Sequence, residues 1–449
     1  MSTAIDQARR ARRTRIAFLA ITTFIALLDG FDLSIMGVTL PVLLARETWG
    51  ITALSAGTVA SAQLFGMLVG AILSGTLSDR LGKRKVLIAT LTLFSTFTLA
   101  VVIAPSLTVF IVFRFLAGMG IGGVLLVLVA IVSEFSLPNR RFINNAVMLA
   151  GSAVGGLLAA LSGSLLLAHV DFRWLWVVPG AIGVLVIPLA LVLIPESMAY
   201  LQSKGRTQRA TDIADRFGVP LPAITEKAVR APIRTLFAPD LRARTILCLL
   251  AAAFVFIMST AFPTWLPQYL VMGGVELSNA LLLVAALSLG ATIGPLFGGR
   301  LQDRGNARLV VSGYFGASSI ALAVIGLAIG APFALVIALI FVFGAFNTPF
   351  LFNGLVANAY PAELRGTILS AVYTVGRTAA IGGAGLGGVV AAAGWHPTFL
   401  FLVWALVPLS AAILVFLIPT KNIGTSKPVD NTSSDTAVLQ EAPASDARR

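Results

Sequence analysis

Twelve apolar runs follow one another along this chain, and they leave it few structures to adopt. They cover about residues 16–44, 53–77, 86–103, 107–133, 143–167, 174–194, 245–271, 277–299, 309–329, 333–359, 367–393 and 397–418. A helix needs about 20 apolar residues to cross the ~30 Å hydrocarbon core of a bilayer, and these runs have that length. In lipid every backbone N–H and C=O must be satisfied internally, so spans of this kind fold as helices. The breaks carry Pro, Gly or charge: Arg46-Glu47, Pro105, Pro138-Asn139, Asp171, Glu276, Pro332, Pro361 and Pro397. The chain is 57% hydrophobic and 11% charged over 449 residues, against about 25% charged in a soluble domain. That balance excludes a water-soluble enzyme. The single cysteine, Cys248, excludes a disulfide framework or a zinc finger. The polar, arginine-rich first fifteen residues precede a run too long for a signal-peptide core, so the first helix is expected to be retained.

Basic residues orient the spans. If the N-terminus is cytoplasmic, 28 of the 32 Lys and Arg fall in inner segments, only Arg46 and Arg173 fall in outer loops, and Arg114 and Arg377 lie inside helices. The bias supports an even helix count with both termini inside. It also removes nucleic acid as a partner, because the +13 net charge is spread over loops and tails rather than gathered in one basic domain. One long connection, 197–243, contains Pro220, Pro222, Pro232 and Pro239. It divides the chain into an N-terminal tail (1–15), a six-helix bundle (16–196), a central loop (197–243), a second six-helix bundle (244–420) and a polar tail (421–449) expected to be disordered.

The halves look duplicated. Gly75-Thr-Leu-Ser-Asp79-Arg80-Leu-Gly82-Lys83-Arg84-Lys85 follows the second span, and Gly299-Arg-Leu-Gln-Asp303-Arg304 follows the eighth, 224 residues later. Glu134 closes the fourth span, and Pro361-Ala-Glu363-Leu-Arg365 follows the tenth, with the two glutamates 229 residues apart. Two separate features repeating at nearly one offset imply a repeated six-helix unit. Gly75, Asp79, Arg80, Gly82, Arg84, Glu134, Asp303, Arg304, Glu363 and Arg365 are therefore candidate gating residues. Glu134 is expected either to join Asp79, Arg80 and Arg84 in a charge network or to stand exposed at the interface. Spans two, five, eight and eleven carry small residues at every fourth position (Gly66, Gly70, Ser74; Gly151, Gly155, Ala159, Gly163; Gly290, Gly294, Gly298; Ala380, Ala384, Gly388). Such faces permit close helix approach. Their recurrence in equivalent helices predicts the seam between the halves, with packing inside each half as the alternative.

Asp29 and Asp32 lie inside the first span, in Asp29-Gly-Phe-Asp32. A carboxylate there costs about 3 kcal/mol on insertion scales. It is kept where it faces a polar cavity and binds a proton, a cation or a substrate. The i, i+3 spacing puts both acids toward one cavity. Two close carboxylates in low dielectric do not readily ionise together, which suits proton coupling. The only histidines, His169 and His396, fall in outer loops, so coupling must use carboxylates. No metal-binding, phosphate-cradling or cofactor motif is present, and neither a metal nor a cofactor is expected.

The 6+6 plan with Gly75-x-Leu-x-Asp79-Arg80-x-Gly82-Lys83-Arg84 resembles the major facilitator superfamily. Asp29-Gly-Phe-Asp32 is similar to the signature of its aromatic acid:proton symporter branch, as are Arg114-Phe-x-x-Gly118-x-Gly120, Ser133-Glu134, Pro195-Glu196-Ser197 and Gly376-Arg377. The second loop departs from the pattern by lacking the Gly-Lys-Arg tail of the first. The resemblance implies an all-α membrane protein of twelve transmembrane helices in two pseudo-symmetric halves. It also implies uptake of a benzoate-type or hydroxybenzoate-type anion with protons, by a monomer among lipids in a bacterial inner membrane. Another organic acid, or drug efflux by proton antiport, is the rival reading.

By helix rise, Asp29 sits about 20 Å from the inner edge of the bilayer core, Arg114 about 18 Å and Arg377 about 15 Å. An Arg114–aspartate contact is therefore expected, either as a permanent neutralising pair or as a switch that frees the arginine for a substrate carboxylate. Two buried cations favour an anionic cargo. Gln63, Gln268, Asn347 and Asn353 are candidate cavity amides. Trp265 and Tyr269 are candidates either for stacking a planar ring or for anchoring at the membrane interface.

Overall fold

The computed structural model describes residues 2–222, 232–328, 331–347 and 349–419. Among these, twelve helices are long and apolar enough to cross a membrane: Asp6–Ala45, Ala53–Leu81, Lys83–Ile103, Leu107–Glu134, Pro138–Leu166, Arg173–Leu193, Arg242–Met272, Leu277–Arg304, Ala307–Leu327, Leu335–Asn358, Glu363–Ala392 and Pro397–Leu417. They are called spans one to twelve below. The polar tail from 421 lies outside the described residues.

Two stretches expected as tail and loop are helical. The first helix starts at Ser2, far ahead of its apolar run. The central connection forms the helices Met198–Ser203 and Thr207–Phe217. In the second of these, Ala210, Ala214 and Phe217 fall on one face and are buried. Phe217 packs on Phe18 and Phe135, with ring centroids at 5.6 and 4.8 Å. The Arg15 guanidinium donates to the carbonyls of Phe217 and Gly218, a cation at the helix's negative end. The extended first helix and the connection thus brace each other.

Two spans are interrupted. Span seven passes through a π-turn at Ile257–Ala261. Pro263 has no N–H to offer the Met258 carbonyl, and Asn347 supplies the missing donor from span ten at 3.2 Å. Span ten is itself broken at Asn347, just ahead of Pro349.

The apolar core shows how the halves sit. Its largest cluster draws on both halves and lies at the end remote from the central connection, including Leu40, Trp176, Trp265 and Leu281. At the near end the core separates. One cluster, around Phe18, Leu128 and Phe217, belongs to the first half. Another, around Leu236, Phe315 and Val372, belongs to the second, and among the described residues Leu64 is what packs against both. The halves are closed at the far end and parted at the near end.

The far seam runs between spans two and eleven, spans five and eight, and spans one and seven. Ser61 Oγ donates to the Ile381 carbonyl at 2.8 Å, and Ser164 Oγ to the Ser278 carbonyl at 2.9 Å. The helices expected at the seam are the right ones, but most of the small residues are not there. A Cβ at Gly66 or Gly70 would strike the span-four backbone at Phe115 and Met119. One at Gly151 or Gly155 would strike span one at Thr23 and Leu27, and one at Gly290 or Gly294 would strike span ten at Phe341 and Ala345. These stripes serve packing inside each half, where helix backbones come closest. Gly388 and Ala384 do face span two, and Gly163 meets Leu281 of span eight.

Candidate functional site

The two acids of span one are held differently. Gly30 between them lets the helix lie against span five, where a side chain would sit 1.9 Å from the Ser152 carbonyl oxygen. That contact sets which way Asp29 and Asp32 point. Asp32 is wholly buried. Arg114 Nη1 donates to both its oxygens, at 3.2 and 3.1 Å. Thr98 Oγ1 donates to Oδ1 at 2.9 Å and Gln63 Nε2 to Oδ2 at 3.4 Å. Spans two, three and four therefore all aim donors at one carboxylate. A buried pair needs such extra hydrogen bonds to offset its desolvation. The Arg114 guanidinium lies 4.5 Å over the ring centre of Trp176.

Asp29 is also buried, at 3% exposure, yet its Oδ1 has no hydrogen-bond partner. It lies in the electrostatic field of Asp32 and of Arg377, the span-eleven cation of the other half. Arg377 is half-buried and forms no ion pair among the described residues. One turn before it, Tyr373 accepts a hydrogen bond from Asn353 Nδ2 at 3.2 Å. Tyr373 and Arg377 lie in each other's field. Asp29 of the first half and Arg377 of the second thus interact across the boundary of the halves, with Tyr373 and Asn353 beside the arginine.

The structure brings together most of the residues expected at the centre, and it moves others. Gln63 joins the Asp32 site. Gln268 is half-buried, and its Oε1 has no partner. Asn347 spends its amide on the π-turn carbonyl, so its first task is structural. Trp265 and Tyr269 are fully buried and are not interface anchors. Trp265 Nε1 donates to the Ala384 carbonyl at 3.0 Å and Tyr269 Oη to that of Gly387 at 3.0 Å, while Trp404 Nε1 donates to Tyr269. Their polar ends join spans seven, eleven and twelve. Thr98, Trp176 and Tyr373 were not foreseen. Tyr373 was within reach, since it lies four residues before Arg377 on one helix face.

The near-end loops differ between halves. Glu134 pairs with Lys83 at 2.7 Å, where Arg84 was expected. It also accepts from Ser197 Oγ at 2.8 Å and from the Ala199 N–H at 2.9 Å. The Arg84 guanidinium donates instead to the Leu191 carbonyl, and its backbone N–H to Glu196 at 3.0 Å. Gly82, at φ +96°, makes the turn that brings these groups together. Gly75 has only ordinary van der Waals contact, so close packing does not require it. Asp79 and Arg80 are exposed at the end of span two. In the second half Asp303, Arg304 and Glu363 are exposed and make no ion pair among the described residues. Arg365 donates to the Tyr360 carbonyl at 3.2 Å. The expected second network is not formed in this state. At the 224-residue offset, Ala307 stands where the first half has Lys83, so the glutamate's cation is missing.

The family model of the Major Facilitator Superfamily matches residues 22–384. The chain belongs to that superfamily. It is a multi-pass membrane transporter and not an enzyme. It is 29% identical over 427 residues to the benzoate transport protein of Acinetobacter baylyi, covering 92% of this chain and 91% of that one. It is 31% identical to the gentisate transporter of Corynebacterium glutamicum, covering 84% and 82%. The 4-hydroxybenzoate transporter PcaK of A. baylyi is 27% identical, covering 89% and 90%. The branch anticipated from Asp29-Gly-Phe-Asp32 is thus the one in which these relatives stand. Among solved structures, the xylose transporter XylE of E. coli in a partially occluded inward open conformation matches with TM-score 0.71 and 17% identity, over 90% of this chain and 99% of that one. A bacterial homologue of the lysosomal transporter Spinster in an inward-facing conformation matches with TM-score 0.69 and 17% identity, over 89% and 96%. These two support the fold.

Proposed function

We propose that this transporter carries an aromatic carboxylate of the benzoate or hydroxybenzoate type into the cell together with protons, by alternating access. The observation that carries the reading is the four-group cluster of Asp29, Asp32, Arg114 and Arg377, with one acid–base pair closed inside the first half and one left open between the halves. With both acids ionised the four charges cancel. One bound proton leaves one net positive charge, which a single carboxylate ligand neutralises. In low dielectric an uncompensated charge is costly, so proton and anion stabilise each other's binding. In this scheme Asp32 and Asp29 handle the proton. Arg377 takes the substrate carboxylate between the halves, and Arg114 supplies the balancing field. Tyr373, Asn353 and Gln268 offer groups to a planar ring and its hydroxyls.

The membrane potential favours the same coupling. An anion entering a negative interior works against about 2.3 kcal/mol per charge per 100 mV. One accompanying proton removes that penalty. The basic-residue bias supports a reading in which the parted end and both termini face the cytoplasm. A bacterial inner membrane and a monomeric carrier complete the reading.

Membrane vesicles test it with labelled 4-hydroxybenzoate under an inward proton gradient. Accumulation that collapses with an uncoupler is expected. Absence of gradient-driven entry for every benzoate analogue, with drug hypersensitivity of a deletion strain in its place, would overturn the proposal in favour of efflux.

A further inference from the structure

The Arg114 guanidinium has two kinds of neighbour, and only one is a carboxylate. Its Nη1 edge is on Asp32. Its Nε and Nη2 are buried with no hydrogen-bond partner, and its face lies on Trp176. Both residues are at 0% exposure, so water does not share the charge. A cation over an indole face is held more strongly in a desolvated site than at an exposed one.

The ring is itself held. Trp176 packs edge-on against Phe110 at 6.0 Å and 82°, and Phe110 lies against Trp49 at 4.9 Å. Phe110 is one turn before Arg114 on span four, so the aromatic stack and the cation share one helix. Trp174, two positions earlier, points to the opposite side and is exposed, as a tryptophan at a span end ordinarily is. Trp176 is turned inward to the coupling pair.

We propose that Trp176 is a positioning residue for proton coupling: its ring face keeps the Arg114 cation in place beside Asp32 as the proton arrives and leaves. This rests on the reading of Asp32 as a proton site. A guanidinium tethered only by the carboxylate would lose its partner when that carboxylate protonates. With the indole beneath it, Arg114 retains a stabilising contact in both states and is ready to receive the carboxylate again. The charged groups around Asp32 are Asp29 on its own helix, Arg114 on span four and, beyond Asp29, Arg377 on span eleven. Spans two, three and six contribute Gln63, Thr98 and Trp176, none of them charged.

The test is an infrared titration of the protonated carboxyl band in purified protein, with Asp32→Asn used to assign the band. Trp176→Leu removes the ring face, and Trp176→Met fills the space with a flexible chain should the leucine variant not reach the membrane. Either is expected to move the Asp32 titration toward alkaline pH by about one unit, since a loosened Arg114 favours the carboxylate less. Trp176→Phe keeps a ring and is expected to move it by less than half as much. Unchanged titration in the leucine or methionine variant would overturn the proposal. Equal shifts in all three variants would also overturn it, by showing that packing and not the ring face matters. If Asp32→Asn removes no band from the wild-type titration, the proton-site reading itself fails, an outcome separate from a band that is present and does not move.

Discussion

Arg114 and Arg377 make an instructive pair. Arg114 is sealed in the first half with its carboxylate, a threonine, a glutamine and an indole around it. Arg377 stands half-buried at the boundary of the halves, with no ion pair among the described residues and a tyrosine one turn away. In the first the cation already holds a carboxylate, and in the second it holds none among the described residues. A satisfied charge pair suits a switch, since a proton alone can unbalance it. An unsatisfied cation suits a receptor, since only an anion completes it.

Breaking the closed pair should have the largest effect. Arg114→Ala leaves Asp32 buried without its cation, and losing one partner of a buried pair costs about 3–5 kcal/mol. Proton-driven uptake is expected to vanish and thermal stability to fall. Asp32→Asn keeps the shape and one acceptor oxygen but removes the charge and the proton site, so uptake should vanish while the protein remains in the membrane. Full accumulation by either variant would show that the pair is not the switch.

Opening the comparison from the other side, Arg377→Ala should abolish binding of 4-hydroxybenzoate while costing much less stability, because no ion pair is lost. Equilibrium binding against a melting curve separates the two arginines. A stability loss as large as that of Arg114→Ala would erase the distinction.

Thr98→Val is a finer probe. It removes one of the donors to the Asp32 carboxylate. A hydrogen bond to a charged group contributes about 1.5 kcal/mol or more. The ionised form loses that support and the protonated form does not, so the proton binds at higher pH. The pH profile of uptake should shift by about one unit to the alkaline side, with maximal rate retained. The smallest effect is expected from Lys83→Ala, which removes the cation from Glu134. Slower transport at normal substrate affinity is the expected result, measured as a change in maximal velocity with KM unchanged.

Much of this was readable in the chain. Span count and the 6+6 division follow from apolar length, and the meeting of Arg114 with an aspartate of span one follows from helix rise. Which aspartate meets Arg114 does not follow, because both lie within reach at that depth. Gly30 against Ser152 fixes the rotation of the first helix, and no sequence rule specifies that contact. Thr98 reads as one more polar residue in an apolar run. Trp176 reads as an interfacial tryptophan, like Trp174. The small-residue stripes marked close approach correctly but not the partner, because each helix has several neighbours and a glycine suits any of them. The repeated loops suggested matching networks, but the second lacks the tail of the first, with alanine at 307 where the first has lysine at 83.

The far seam has a consequence for how the transporter responds to its surroundings. It is fastened by two serine-to-carbonyl bonds and by aliphatic and aromatic packing, and no ion pair crosses it among the described residues. Parting it exposes little charge, so external ionic strength should barely touch the rate of that movement. Cooling should slow it through the packing it disrupts, and a stiffer or thicker bilayer should matter more to this step than the salt of the medium.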